Sequence, residues 1–152
     1  MERILNSIIP DRDKLVAVLR EEFIDAPILH EFACVCAEEA QKYAENPHDG
    51  MKFIQCKRKW LRGEISDDEL KAVSNARYSI IEYRPAFESA LYSCKMSAQE
   101  AAQQASWYAA QAVYHYTFKH SQKAKDRFEA EINEFAKHIA ILKKLLITQN
   151  AK

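Results

Sequence analysis

A chain of 152 residues that contains only two glycines and four prolines has few places to reverse direction. Sheet proteins use these residues freely at their turns. Their scarcity predicts few, long elements, and the apolar spacing makes those elements helices. Punctuation falls at Pro10, at Asp25-Ala26-Pro27, at Asn46-Pro47-His48-Asp49-Gly50, at Gly63, at Pro85, at Ser97 and near His120-Ser121. Between these marks apolar residues recur every three or four positions, as one face of a helix requires. The expected fold is all-α: a single domain over 1–152, a bundle of about six to seven helices around a central Ala- and aromatic-rich helix. Residues 1–10 read as an N-terminal arm and the polar tail from Thr148 to Lys152 as frayed.

Leu29, Ala33, Cys36, Ala40 and Tyr43 form one stripe, and Phe53, Cys56 and Trp60 another. Trp60 should be largely buried, with truncation to Ala costing about 3–5 kcal/mol. Gly63 should end that helix in the left-handed conformation glycine adopts without strain. Ser66 and Glu69 then have the spacing of a capping box, each side chain bonding the other's free backbone N–H. Val73, Ala76, Ile80 and Tyr83 continue the helix; Pro85 should kink or end it, and Phe87, Leu91 and Cys94 carry the stripe onward. Ser97 and Glu100 have the spacing of a second box. The helix they start is apolar on two sides, with Ala98, Ala102, Ala105, Ala109 and Ala112 opposite Trp107, Tyr114 and Phe118, so it should lie centrally. The last helix is the clearest amphipath: Phe128, Ile132, Phe135, Ile139, Leu142 and Leu146.

Lys and Arg together number 22, as do Asp and Glu, so the net charge is zero. A nucleic-acid binder carries a basic excess or a basic face, and that class is not expected. No run approaches the roughly 18 apolar residues of a membrane span. The first ten residues lack the apolar core and cleavage site of a signal peptide. A cytoplasmic protein is expected. Cys34, Cys36, Cys56 and Cys94 then read as small core residues rather than a disulfide framework. Cys34 and Cys36 point about 200° apart on a helix and cannot chelate one ion together.

Helical bundles hold di-iron centres through Glu-x-x-His pairs. Glu45 and His48 have that spacing, but Pro47 breaks the helix between them. Glu134 and His138, four apart, could share a metal; the plainer reading is an exposed i,i+4 pair. His30 and Cys34 share a face without two further ligands, and Cys56 or Cys94 could meet His115 in space. None of these amounts to a catalytic or metal constellation, and no cofactor is expected. His115, Tyr116, Lys119 and His120 could make a small polar-aromatic site, the plainer reading being a packed Tyr116 beside an exposed Lys119. Lys57-Arg58-Lys59 and Arg62 suit the negative end of one helix dipole, and Glu64, Asp67, Asp68 and Glu69 the positive end of the next. Arg62, Glu64, Asp67 and Asp68 thus put both charge signs on one rigid turn, a candidate partner-binding surface.

The element order is a Cys/Ala-rich helix ending Tyr43-Ala44-Glu45-Asn46-Pro47, then a helix ending Trp60-Leu61-Arg62-Gly63-Glu64-Ile65, then an Ala/Arg helix. Ala-x₂-Ala repeats run into His115, and an amphipathic helix closes the chain. This order resembles the immunity proteins of bacterial polymorphic toxin systems over roughly residues 28 to 147, most sharply from Trp60 to Ile65. The chain departs from the pattern in its lower Ala content, in Pro85, and in the aromatics Trp107, Tyr108 and Tyr114. The resemblance implies a small cytosolic protein that neutralises a cognate toxin by direct contact, without chemistry of its own. The alternatives are a metal-dependent bundle enzyme using His30, Cys34, Glu134 or His138, and a homodimer or larger homo-oligomer paired through the Trp107 face.

Overall fold

The computed structural model describes residues 1–75, 84–121 and 123–150. Among them are eight α-helices: α1 Glu2–Leu5, α2 Asp11–Val18, α3 Ala26–Ala40, α4 Pro47–Leu61, α5 Asp67–Ser74, α6 Pro85–Ser93, α7 Ala98–His120 and α8 Ala124–Asn150. A 3₁₀ turn, Gln41–Tyr43, follows α3 directly. The described residues contain no strand. The expected six to seven helices fall short because α1 is a single turn inside the anticipated arm, where Leu5 is buried. At the other end α8 runs through Thr148 and Gln149, and Gln149 donates to Asp25 at 3.1 Å. No helix among the described residues is long and apolar enough to cross a membrane.

All four prolines begin helices. Pro10 caps α2, and Pro27, Pro47 and Pro85 occupy the first turns of α3, α4 and α6. There the missing N–H has no intrahelical partner to lose, and the fixed φ is already helical. Pro85 therefore opens a helix instead of kinking one. The described part of the preceding helix ends at Ser74. The anticipated continuation through Ala76, Ile80 and Tyr83 lies outside the described residues.

Helix α7 is the axis of the fold and packs against α3, α6 and α8. Its alanines at 98, 102, 105, 109 and 112 are buried, as the repeat predicts, and Ala101 and Ala110 are buried beside them. The facing side of α6 is also built of small residues, Ala86, Ser89, Ala90 and Ser93. Two such faces let the backbones approach closely, and Ser89 reaches across to donate to the Ala105 carbonyl at 2.7 Å. The expected Phe87–Leu91–Cys94 stripe is thus turned away from α7. Cys94 is buried, while Phe87 and Leu91 pack at half burial against a second cluster around Phe53, Ile54 and Leu70.

The turn after α4 forms as its sequence predicts. Gly63 has φ +73°. Its N–H bonds the Trp60 carbonyl and the N–H of Glu64 bonds the Lys59 carbonyl, each at 2.9 Å. This is the Schellman closure of a helix end. Ser66 and Glu69 make the full capping box. At Ser97 only half of a box forms, with the Glu100 N–H donating to the Ser97 hydroxyl at 3.2 Å. Trp60 departs from expectation: it is half-buried, and its indole N–H donates to Asp67 at 2.8 Å. Its value lies in tying α4 to α5, and its truncation removes less buried surface than loss of a core tryptophan.

Two stability predictions follow from this packing. Ala105→Leu forces extra volume between α7 and its neighbours at a fully buried site and should cost about 1–3 kcal/mol in denaturant unfolding. Gly63→Ala meets no steric obstacle, yet the left-handed backbone should cost it about 1 kcal/mol; unchanged stability would contradict the turn assignment.

Candidate functional site

A cleft of ≈ 340 Å³ opens where the end of α3, the start of α4, the start of α6 and the last turns of α7 meet. Its floor is apolar: Ala44, Pro85, Ala86, Phe87 and Ala112. Its rim carries Tyr43, Glu45, Asn46, Asp49, Arg84, His115, Tyr116, Lys119 and His120. The four residues anticipated as a polar-aromatic group at the end of the Ala-rich helix are therefore brought together, and they line a cleft instead of a packed core.

Local chemistry explains why the walls stand where they do. Gln41, buried at the end of α3, donates through one amide nitrogen to the Ala37 carbonyl at 3.2 Å and to the Ala86 carbonyl at 2.7 Å. That ties the first turn of α6 to the end of α3. Gly50 lies inside α4 because the Gln41 carboxamide occupies the space a Cβ would need. Asn46 caps α4 by accepting from the His48 N–H at 3.2 Å, so Glu45 falls outside the helix. It pairs with Lys119 across the cleft mouth, and the Lys119 ammonium holds its carboxyl below the ordinary range. Glu45 and His48 accordingly form no Glu-x-x-His pair on one helix. Tyr43 packs on Tyr116 with ring centroids 5.4 Å apart, and Tyr116 on His120 at 4.4 Å. Burial, and then the nearby Lys119 charge, lower the affinity of His115 for a proton.

The charged turn lies at the other end of α4, whose 15 residues span about 22 Å. Arg62 and Glu64 pair with each other. Asp67 accepts from Trp60, Lys71 lies 3.5 Å from Asp68, and Glu69 is committed to the cap. The preceding basic run, read from the sequence as suited to the helix dipole, is partly turned inward. Lys57 is fully buried, donates to the Lys95 carbonyl at 2.9 Å, and stands 3.9 Å from the Trp60 ring centroid. Burial pulls its amine down to about 8. Arg58 bonds Glu38 at 2.7 Å and Glu31 at 2.9 Å, which ties α4 to α3.

The metal-ligand candidates separate into two pairs on different sides of α3. His30 and Cys34 are buried toward α4, where His30 meets Trp60 edge-on at 5.1 Å. Glu134 and His138 are not the exposed pair the spacing suggested: they are 4% and 0% exposed. His138 lies beside Phe32 and Phe135. Its Nδ1 is 2.9 Å from the Ser106 hydroxyl, and its Nε2 is 3.4 Å from Glu134. Lys137 bridges Glu134 and Glu39, each at 3.2 Å. Burial would raise the Glu134 carboxyl, but His138 and Lys137 hold it below its ordinary range. A serine, a histidine and a carboxylate in line resemble a hydrolytic set, but all three are buried and serve to join α7 to α8. Among the described residues no three His, Cys, Asp or Glu side chains gather as a metal site would need.

Three of the four thiols are enclosed, while Cys56, expected in the core, is half-buried at its edge. Burial raises Cys34 and Cys94 to about 12 and Cys36 further, so they remain protonated. Cys94 donates to the Phe53 carbonyl at 3.1 Å. It caps the end of α6, just before α7 begins at Ala98, whereas His115 lies 17 residues along α7, about 25 Å from that start. A Cys94–His115 pair does not form.

Burial, and then the charge of neighbouring Lys57, lower His30 from 6.5 to about 4. Folding therefore expels its proton, so stability should fall as pH drops from 6.5 toward 4, by about 3 kcal/mol for a shift this large. His30→Phe should flatten that limb of a pH–stability curve; an unchanged slope would assign it elsewhere.

No known protein family, curated protein or solved structure matches this chain.

Proposed function

We propose that this chain is a binding protein of the immunity type, which neutralises a cognate bacterial toxin by direct contact and makes that contact at the cleft beside Tyr43 and Tyr116. The observation that supports the surface is the cleft's make-up, an apolar floor under a rim of tyrosine, arginine, lysine and histidine. Aromatic and arginine side chains carry most of the energy at protein interfaces, and they do so from desolvated depressions near the centre. A cleft of ≈ 340 Å³ takes one or two anchoring side chains of a partner. The two tyrosines already pack on one another, so little side-chain freedom is lost on binding. The resemblance in element order and at Trp60–Ile65 supports the class of partner.

The turn of Arg62, Glu64, Asp67 and Asp68 is the competing surface within the same reading. Its charges already have partners inside the chain, so a toxin would have to break those contacts to use them. The metal-enzyme reading gains nothing from the ligand placement, because its four residues lie in separate pairs.

Co-expression with the product of a neighbouring reading frame tests the proposal. The parent should protect cells. Tyr43→Ala with Tyr116→Ala should weaken toxin binding by about tenfold to a hundredfold and reduce protection while circular dichroism stays helical. Glu64→Lys with Asp67→Lys and Asp68→Lys should leave binding close to parental. The reverse pattern would move the interface to the turn. A neighbouring reading frame without a toxic product would overturn the partner class.

A further inference from the structure

Helix α8 is apolar on two sides. One side holds Phe135, Ile139 and Leu142 of the expected core stripe, all buried; Phe128 and Ile132, expected in the same stripe, are exposed because the core contact follows only its later turns. The other faces solvent along its length: Ile132 is 62% and Ile147 70% exposed, and Ala136 and Ala140 between them are also exposed. On a helix these four positions fall within about 60–80° of one another. Glu129 and Lys143 lie on the same line, and the polar residues Asn133, Lys137 and Lys144 border it. A solvated helix face is ordinarily polar throughout.

We propose that a second copy of this chain covers this face, with the two α8 helices packed antiparallel about a two-fold axis at Ala136. The spacing is self-complementary. Ile132 and Ala140 each lie four residues from Ala136, and Glu129 and Lys143 each lie seven. Under the two-fold, each isoleucine at 132 packs on the alanine at 140 of its mate, and Ala136 meets its own copy. The small residues at the centre allow close approach of the helices. The charges agree with this register: each Glu129 faces a Lys143 of the other copy, so the pairing makes the opposite-charge contact twice. Glu129 now lies 3.4 Å from Lys125, and Lys143 donates to Asn6 at 3.1 Å; both are exposed contacts, exchanged at little cost. Closed two-fold pairing through one repeated patch is the commonest form of homo-oligomer. The Trp107 face considered from the sequence is already occupied, by Phe135 at 6.1 Å and by Arg12 at 4.2 Å from the ring.

Light scattering with size exclusion, followed over a dilution series, should show the full chain dimerising. Ile132→Glu should make it monomeric without loss of helix content. Under mild oxidation Ala136→Cys should give a disulfide-linked dimer, and Asn133→Cys, off the stripe, should not. Glu129→Lys and Lys143→Glu should each weaken the dimer severalfold, and the two together should restore it. A parent that stays monomeric at every concentration, a dimer unaffected by Ile132→Glu, or no cross-link at position 136 would overturn the proposal. Failure of the charge exchange to restore pairing would also overturn this register.

Discussion

The close contact of small side chains along α7 is the constraint on which the other contacts depend. Ala101 and Ala105 pack with Ala33 of α3, and the Ala/Ser face of α6 lies on the same axis. Helices brought together by alanine approach toward the short end of the usual interaxial range, about 8 Å. At that separation a hydroxyl on one helix reaches a backbone carbonyl on the next, as Ser89 does at Ala105. The large side chains are displaced to the flanks. Phe32, Leu29 and Leu142 fill one side and Phe53, Ile54 and Leu70 the other, so the core forms as two apolar clusters with a seam of alanine between them.

The parts of the fold legible in the sequence are those specified by backbone chemistry. Gly63 is followed after two residues by Ser66 and Glu69, a combination that ends one helix and begins another whatever surrounds it. The alanine period is similarly local. What stayed hidden was the partner of each polar group. Glu134 and His138 looked like a solvent pair because charged residues are seldom buried. They share the helix face of Phe135, Ile139 and Leu142, and that shared face was the available signal. Lys57 likewise follows Phe53 by four residues and Ile54 by three, on the buried side of α4. The cleft was legible only in its α7 half. Its other wall comes from residues 43–49 and 84–87, and their meeting depends on the long-range bond between Gln41 and Ala86.

Burying these polar groups carries a cost, and the surrounding contacts decide how each is met. His138 and Glu134 have one another, Ser106 and Lys137. Lys57 has a carbonyl and the face of Trp60. His30 shares that tryptophan, but its Nδ1 finds no partner, and burial, then the Lys57 charge, lower its affinity for a proton. Trp60 thereby serves three elements. It covers His30 of α3, stacks on Lys57 of α4 and donates to Asp67 of α5.

These buried ties bear on recognition because they determine which surfaces are rigid. The turn at Gly63 is held by a Schellman closure, a capping box and the Trp60–Asp67 bond, and its charges are spent on one another. The cleft is held from behind, by Gln41 and by proline-started helices, while its tyrosines and basic side chains line an open depression. Rigidity behind a surface lowers the entropy lost on binding, and both surfaces have it. The cleft adds an apolar floor that a partner side chain can bury, which the charged turn does not offer. The outer face of α8 combines a rigid long helix with exposed isoleucines that no neighbouring element among the described residues covers. Hydrophobic surface left on a helix whose other side already anchors the core adds little to folding, and burial by a second molecule is the way it can stabilise the protein.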